Sequence, residues 1–456
     1  MKQTPEQERV ATIDAHKLPT LSSIMDMPTE PQQVVLSRGR ALLLVGLLCI
    51  IVLHAISTGA EQFIGPQGWA YTLAGPPGTG NNHLLQALNQ DLRHPHGPVL
   101  GTMAGPALTP QQYINLIVRR MTLDQKLGQM LIVQFVGPSY SLDLSTMINQ
   151  YQVGAVLLFD ANGNIVSKKQ LTGLTRQMQS GSAFPLAIAV DQEGGTVDRL
   201  KSLDGPRLSA TAIGTTNDPA KALAAGVQDA ADLSSYGINL NLAPVVDVRQ
   251  VYNPQLYLRT YGNNAETVTK MAAAYLQGLQ QSGKVLGTLK HFPGLGDVAA
   301  DPHRSIPYLN RSRRDLEAID WAPYRALIKQ GNVYSILVTH EIVRALDDTK
   351  PASLSTKVVT GILRDELGFQ GVIITDSLTM EGIAAYDTPA QAAVLAIEAG
   401  ADLLMGATNP HDVAAMLESI KQALSAGGIS IQRIDDSVHR ILMLKYQMGL
   451  LDIPTT

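Results

Sequence analysis

The sequence predicts an α/β protein whose main domain is a (β/α)8 TIM-type barrel, and three observations predict it. Short apolar runs recur eight times from Leu108 onward, longer stretches between them carry apolar residues at three- and four-residue spacing, and ionisable residues follow several of the runs directly. Eight strand–helix units in succession favour a closed parallel barrel over an open sheet.

The runs are Met130 to Val136, Val153 to Phe159, Leu186 to Val190, Ile238 to Leu242, Val285 to Leu289, Ser335 to Val338, Val372 to Thr375 and Leu403 to Met405. Two helical stretches, Thr109 to Arg120 and Thr122 to Gly128, precede or flank the first. Pro219 to Tyr236, Ala265 to Gln281, Arg313 to Gln330 and Gln391 to Ala399 read as helices between runs, and Ile434 to Met448 would close the outer ring.

Residues 108–456 are therefore expected to form one barrel domain, and the chain before them reads differently. Residues 1–40 mix charges with Pro and Gln, lack periodicity, and are expected to be a disordered cytoplasmic tail. Ala41 to Leu53 is an unbroken apolar run that, extended across His54 to Ala60, reaches the roughly 17 to 25 residues of a membrane span. Arg38 and Arg40 precede it and Glu61 follows, which orients the remainder outside the membrane. A transmembrane signal-anchor over 41–60, a cleaved signal peptide using the small residues Ala55 and Ser57, and a buried core helix all fit this composition. Under either of the first two, the barrel is exported. Residues 61–107, rich in Gly, Pro, Asn and His, read as a flexible linker. Within it Gly75-Pro-Pro-Gly-Thr-Gly80 imitates a phosphate-binding loop, but Asn81 stands where a lysine is required and no strand precedes it, so no nucleotide cofactor is expected.

Bulk composition narrows the function. Of 456 residues 45% are hydrophobic and 16% charged, enough for a large core, while a net charge of −4 gives no footprint for nucleic acid. Cys49 is the sole cysteine, which excludes an intrachain disulfide or a thiolate metal site. No partner chain is called for, and a monomer is expected.

Active sites of such barrels lie at the C-terminal strand ends. There the third run leads into Asp191-Gln-Glu-Gly-Gly195, the fourth into Asp247, the fifth into Lys290-His291, the sixth into His340 and the seventh into Asp376. Two chemistries could use this set. His291 and His340 could be paired imidazole ligands of a metal-dependent hydrolase, although Gln134-Phe-Val136 offers no ligand at the first strand. Glycoside cleavage needs a carboxylate at the anomeric carbon and a proton donor at the leaving oxygen; Asp376, behind the β-branched Val372-Ile-Ile-Thr375, suits the carboxylate, and could also cap a helix starting near Thr379. An exported, inactive wall-binding barrel is the alternative of another class.

Several segments resemble the β-N-acetylhexosaminidases of glycoside hydrolase family 3 over roughly residues 110–456. They are Val190-Asp-Gln-Glu-Gly-Gly-Thr-Val-Asp-Arg199, Asn241-Leu-Ala-Pro-Val-Val-Asp247, Arg259-Thr-Tyr-Gly262, Lys290-His-Phe-Pro-Gly294 with Gly296-Asp297, Asp301-Pro-His303 and Thr375-Asp-Ser-Leu-Thr-Met380. The resemblance implies Asp376 as nucleophile, His303 as acid/base with Asp301 orienting it, and Asp191, Arg199, Arg259, Lys290 and His291 as the residues that hold the non-reducing sugar. Without it, Arg199 and Arg259 could be surface ion-pair residues and His303 a loop histidine without a role. Glu193 and Asp247 are expected to brace the barrel mouth. Pro302 stands where similar proteins often carry a small polar residue, and Leu295 where they carry a histidine. The implied activity is retaining hydrolysis of terminal N-acetylglucosamine from peptidoglycan fragments or chitin-like oligosaccharides, with phosphorolysis or another β-glycosidase activity as the alternative within the family, and with no metal or other cofactor.

Overall fold

The computed structural model describes residues 108–298, 306–384 and 386–452. Residues 1–107, with the expected tail, membrane segment and linker, lie outside them, as do Asp301 and His303. Among the described residues no helix is long and apolar enough to cross a membrane.

Eight parallel strands close on themselves in chain order: β1 (Leu131–Val133), β2 (Ala155–Leu158), β3 (Ala187–Val190), β4 (Leu240–Asn241), β5 (Leu286–Phe292), β6 (Ser335–Val338), β7 (Val372–Ser377) and β8 (Leu403–Ala407). Registry is regular along two pairs: Ala155 to Leu158 pair with Ala187 to Val190, and Ser335 to Val338 with Val372 to Thr375. Leu131 pairs with Leu404 to close the ring. β2, β3, β6 and β8 are buried at every position, as strands covered on both faces require. This is why they appear in the sequence as unbroken apolar runs rather than as alternating ones.

The surrounding helices begin where the sequence supplies caps. α1 (Pro110–Arg120) and α2 (Leu123–Gln129) each open with a capping box, Thr109 with Gln112 and Thr122 with Gln125. α3 (Leu142–Asn149) and α4 (Lys168–Gly181) start on Ser141 and Ser167. α5 (Pro219–Ser235) and α6 (Ala265–Gln280) pack so closely that a Cβ at Gly226 would lie 2.2 Å from the Tyr275 carbonyl oxygen, and one at Gly278 2.1 Å from that of Leu223. Glycine is needed there for contact, not for a turn.

The helix expected over Arg313 to Gln330 is interrupted. Residues Leu316–Asp320 form a widened turn in which the Trp321 amide donates to the Leu316 carbonyl, and α7 (Ala322–Gln330) restarts with Pro323 in its first turn. Proline has no amide to give to a continuing helix, so the restart falls there. A second widened helix, Lys357–Glu366, precedes β7; α8 (Pro389–Ala399), α9 (Pro410–Ser425) and α10 (Ile431–Gln447) follow. α10 packs its buried Ile434, Val438, Ile441 and Leu442 inward and contacts α1 and α2, joining the two ends of the described domain.

At the N-terminal end of the barrel, Asp402, just before β8, is fully buried. One carboxylate oxygen accepts from the Ile373 amide at 3.0 Å and from Arg364; the other accepts from Ser437 at 2.6 Å, Arg440 at 3.1 Å and Arg433 at 3.4 Å. Burial alone would raise this carboxyl, but the three guanidinium charges hold it below the ordinary aspartate range.

Candidate active site

A hollow of about 370 Å³ opens at the C-terminal end of the barrel. Its wall includes Asp191, Glu193, Arg199, Arg259, Lys290, His291 and Asp376. All the sugar-holding residues expected from the sequence, and the expected nucleophile, thus face one space.

The charged side is built around Glu193. Lys290 Nζ lies 2.6 Å from one Glu193 oxygen and 2.5 Å from Asp191, and Arg259 grips Glu193 through Nε at 2.7 Å and Nη2 at 2.9 Å. Burial would raise the Glu193 carboxyl, yet Arg259 and Lys290 outweigh it and hold it well below the ordinary glutamate range; burial disfavours the Arg259 charge, and Glu193 reverses that in turn. Glu193 does more than brace the mouth. It fixes two of the three cations that face the hollow, Arg259 and Lys290.

His291 is set from behind. Its Nδ1 lies 2.7 Å from Asp247 Oδ2, and the other Asp247 oxygen accepts from the Leu295 amide at 2.8 Å. A carboxylate only accepts, so the ring proton sits on Nδ1; Nε2 then accepts from Arg259 Nη2 at 3.2 Å. Arg199 donates to Asp160 at 3.0 Å and lies over the Phe159 ring, 4.1 Å from its centre.

Asp376 projects near the end of β7, partly exposed, and its two neighbours are tied down. Thr375 Oγ1 accepts from the Met405 amide at 3.1 Å, and the Ser377 carbonyl accepts from His340 Nε2 at 3.0 Å. Asp376 Oδ1 accepts from the Ser377 amide at 2.9 Å, which orients the carboxylate on its own strand rather than on the short helix Glu381–Ala384.

His340 departs from the sequence reading. It is fully buried, is not part of the hollow's wall, and its Nδ1 accepts from Ser353 at 2.7 Å while Nε2 holds Ser377. It therefore does not pair with His291 as an imidazole ligand; it steadies the backbone beside Asp376. Sequence reasoning also passed over Asp160, although it directly follows the second apolar run and had the same signal as the acids that were noticed. Gln255, whose carbonyl accepts from Arg259 Nη1 at 2.9 Å, carried no such signal.

A carboxylate on a rigid strand, facing a preorganised cluster of charged donors and acceptors in one hollow, is the kind of arrangement that glycoside hydrolases of the barrel type use. Residues 122–444 match the glycosyl hydrolase family 3 N-terminal domain, and the chain belongs to that family. It is 32% identical over 333 residues to β-hexosaminidase A of Pseudoalteromonas piscicida, covering 67% of this chain and 55% of that protein. It is 35% identical over 344 residues to β-hexosaminidase LpqI of Mycobacterium tuberculosis, covering 70% and 82%. The structure resembles a glycoside hydrolase family 3 β-N-acetylglucosaminidase from a Paenibacillus species with a TM-score of 0.69 at 35% identity, over 74% of this chain and 64% of that one.

Proposed function

We propose that this protein is a retaining β-N-acetylhexosaminidase that removes terminal non-reducing N-acetylglucosamine from peptidoglycan fragments or chitin-like oligosaccharides. Asp376 attacks the anomeric carbon while His303, oriented by Asp301, protonates the departing oxygen; water then enters as His303 takes its proton back. Asp191, Arg199, Arg259, Lys290 and His291 hold the sugar hydroxyls. Hydrogen bonds to charged groups contribute about 1.5 to 3 kcal/mol each, and a fixed cluster orients the ring as well as binding it. The observation that carries this reading is the convergence of Asp376 and the Glu193-centred cluster on one hollow of about 370 Å³.

Residues 41–60 act as an anchor or a cleaved signal and residues 61–107 as a spacer, so that the barrel over 108–456 works outside the cytoplasmic membrane as a monomer. A relative that carries the name of a secreted glycosyl hydrolase, from Arthroderma benhamiae, supports an extracellular site of action. The test is release of the aryl group from an aryl β-N-acetylglucosaminide by the full-length chain. Wild type is expected to turn it over and Asp376→Ala is not; equal release by both refutes the assignment. For His303→Ala, turnover of natural glycosides should fall far more than turnover of substrates whose leaving group needs no proton, and uniform loss would remove His303 from the role.

A further inference from the structure

We infer that Tyr275 and Asp229, two residues of the outer helices that do not line the hollow, position the sugar-holding residues Asp191 and Lys290 by clamping Gln192 through Asn241. This rests on the glycosidase reading above and adds to it two residues that set the affinity of the site without touching the sugar.

Gln192 stands between Asp191 and Glu193, the two acids that meet Lys290 Nζ at 2.5 and 2.6 Å. Side chains alternate along an extended segment, so while its neighbours turn to the hollow Gln192 turns away, and it is buried. Its backbone lies just past the point where Val190 of β3 pairs with Asn241 of β4. There the Asn241 side chain takes the place of a neighbouring strand: Oδ1 accepts from the Gln192 amide at 2.9 Å, and Nδ2 donates to the Gln192 carbonyl at 2.8 Å. One planar group thus fixes both backbone bonding groups of the residue between the two acids. A shift of that group would change the reach of each acid to Lys290.

An amide fits such a place in one orientation only, and its other contacts decide which. Asn241 Nδ2 also donates to the Tyr275 hydroxyl at 3.0 Å, and Tyr275 gives its own proton to Asp229 Oδ2 at 2.7 Å. A carboxylate only accepts, so the Tyr275 proton is committed to Asp229 and the Tyr275 oxygen must accept from Asn241, which turns Oδ1 to the Gln192 amide. Burial, first of all, pushes the Asp229 carboxyl up to about 7, and Tyr275 leads the groups that pull it down. Asp229, Tyr275, Asn241 and Gln192 are all buried, where a bonding group left without its partner is costly. The close contact of α5 and α6 at Gly226 and Gly278 sets the spacing of Asp229 and Tyr275.

Asp229 also bears on the far side of the same hairpin. Gln192 Nε2 donates to Asp198 Oδ1 at 2.8 Å, the Arg207 amide donates to Asp198 Oδ2 at 2.7 Å, and Arg207 Nε lies 3.9 Å from Asp229 Oδ1. Asp376 is carried by β7, across the barrel from β3 and β4. Loosening the clamp should therefore weaken the hold on the sugar and spare the attacking group.

The test measures turnover of an aryl β-N-acetylglucosaminide by the full-length chain at about pH 8, where Asp229 is charged. In Tyr275→Phe, KM should rise roughly three- to tenfold while kcat stays within about twofold of wild type. Asp229→Leu should raise KM to the same degree, and the double variant no further, because both cut one path. Ser437→Ala removes an equally buried hydroxyl, bonded to Asp402 at the opposite end of the barrel, and should lower the thermal midpoint with KM unchanged. An unchanged KM in Tyr275→Phe, or the same rise in Ser437→Ala, overturns the positioning role and leaves the glycosidase reading standing. A wild type that leaves the glycoside intact overturns that reading, and this inference with it.

Discussion

Two buried carboxylates organise opposite ends of the barrel, and they differ in what they leave over. Asp402, at the N-terminal end, is enclosed by three arginines, a serine and a backbone amide, all of them bonded inward. Glu193, at the C-terminal end, is gripped as tightly by Arg259 and Lys290, yet those cations also line an open hollow with Asp191, His291 and Asp376. The same physics of paired buried charge closes a hub where every partner turns inward and leaves charged groups free to meet a ligand where the partners face a space. Crowding marks the closed end: burial, first of all, with the charges of its fellow arginines lowers the Arg364 guanidinium to about 10 against the pull of Asp402.

The largest separation of the two ends should come from Asp376→Ala, which is expected to lower kcat by roughly a thousandfold or more while leaving the thermal midpoint near wild type. Asp402→Ala should do the converse. Leaving three arginines around an empty position should cost about 3 to 5 kcal/mol in urea unfolding, with kcat of the folded protein preserved; loss of kcat without loss of stability would break the comparison. Glu193→Gln should show both effects, raising KM by roughly tenfold and lowering the midpoint, because its two partners then face each other without the shared anion. A change in one quantity alone would mean that the hub has a single role.

The smallest predicted effect concerns Glu341, one residue after His340. It is fully buried, and beyond its own backbone amide, which pulls the other way, neither carboxyl oxygen has a hydrogen-bond partner among the described residues. Burial first, and then the charges of Asp247, Asp376 and Asp320, push it well above the ordinary glutamate value of 4.5. The folded state thus keeps a proton that the unfolded chain releases, so this group makes the protein less stable as pH rises above about 4.5. Glu341→Gln removes that dependence, and its gain in thermal midpoint over wild type should grow between pH 5 and pH 8. An equal difference at both pH values would show that Glu341 ionises freely.

The barrel was legible because its strands are covered on both faces, which left eight apolar runs that periodicity alone could find. The mouth was legible in part. Acids and bases after a run announce themselves, and Asp191, Lys290, His291 and Asp376 were visible on that ground. Position after a run does not reveal which way a side chain turns, however, and His340 shows the result: its partners, Ser353 and the Ser377 carbonyl, are brought to it only by the fold. Glu193 reads only as a brace in the sequence because its two cations lie 66 and 97 residues away in the chain. The break before α7 could have been read from Pro323. Asp160 needed only a consistent count of the strand ends.

The central claim is that Asp376 forms the covalent bond to the sugar. A fluorinated N-acetylglucosamine analogue with a good leaving group, incubated with the full-length protein and followed by peptide mass spectrometry, tests it most directly. The prediction is one added glycosyl mass on the peptide containing Asp376, absent from Asp376→Ala. A label on Asp191, or steady turnover with no labelled peptide, would contradict it.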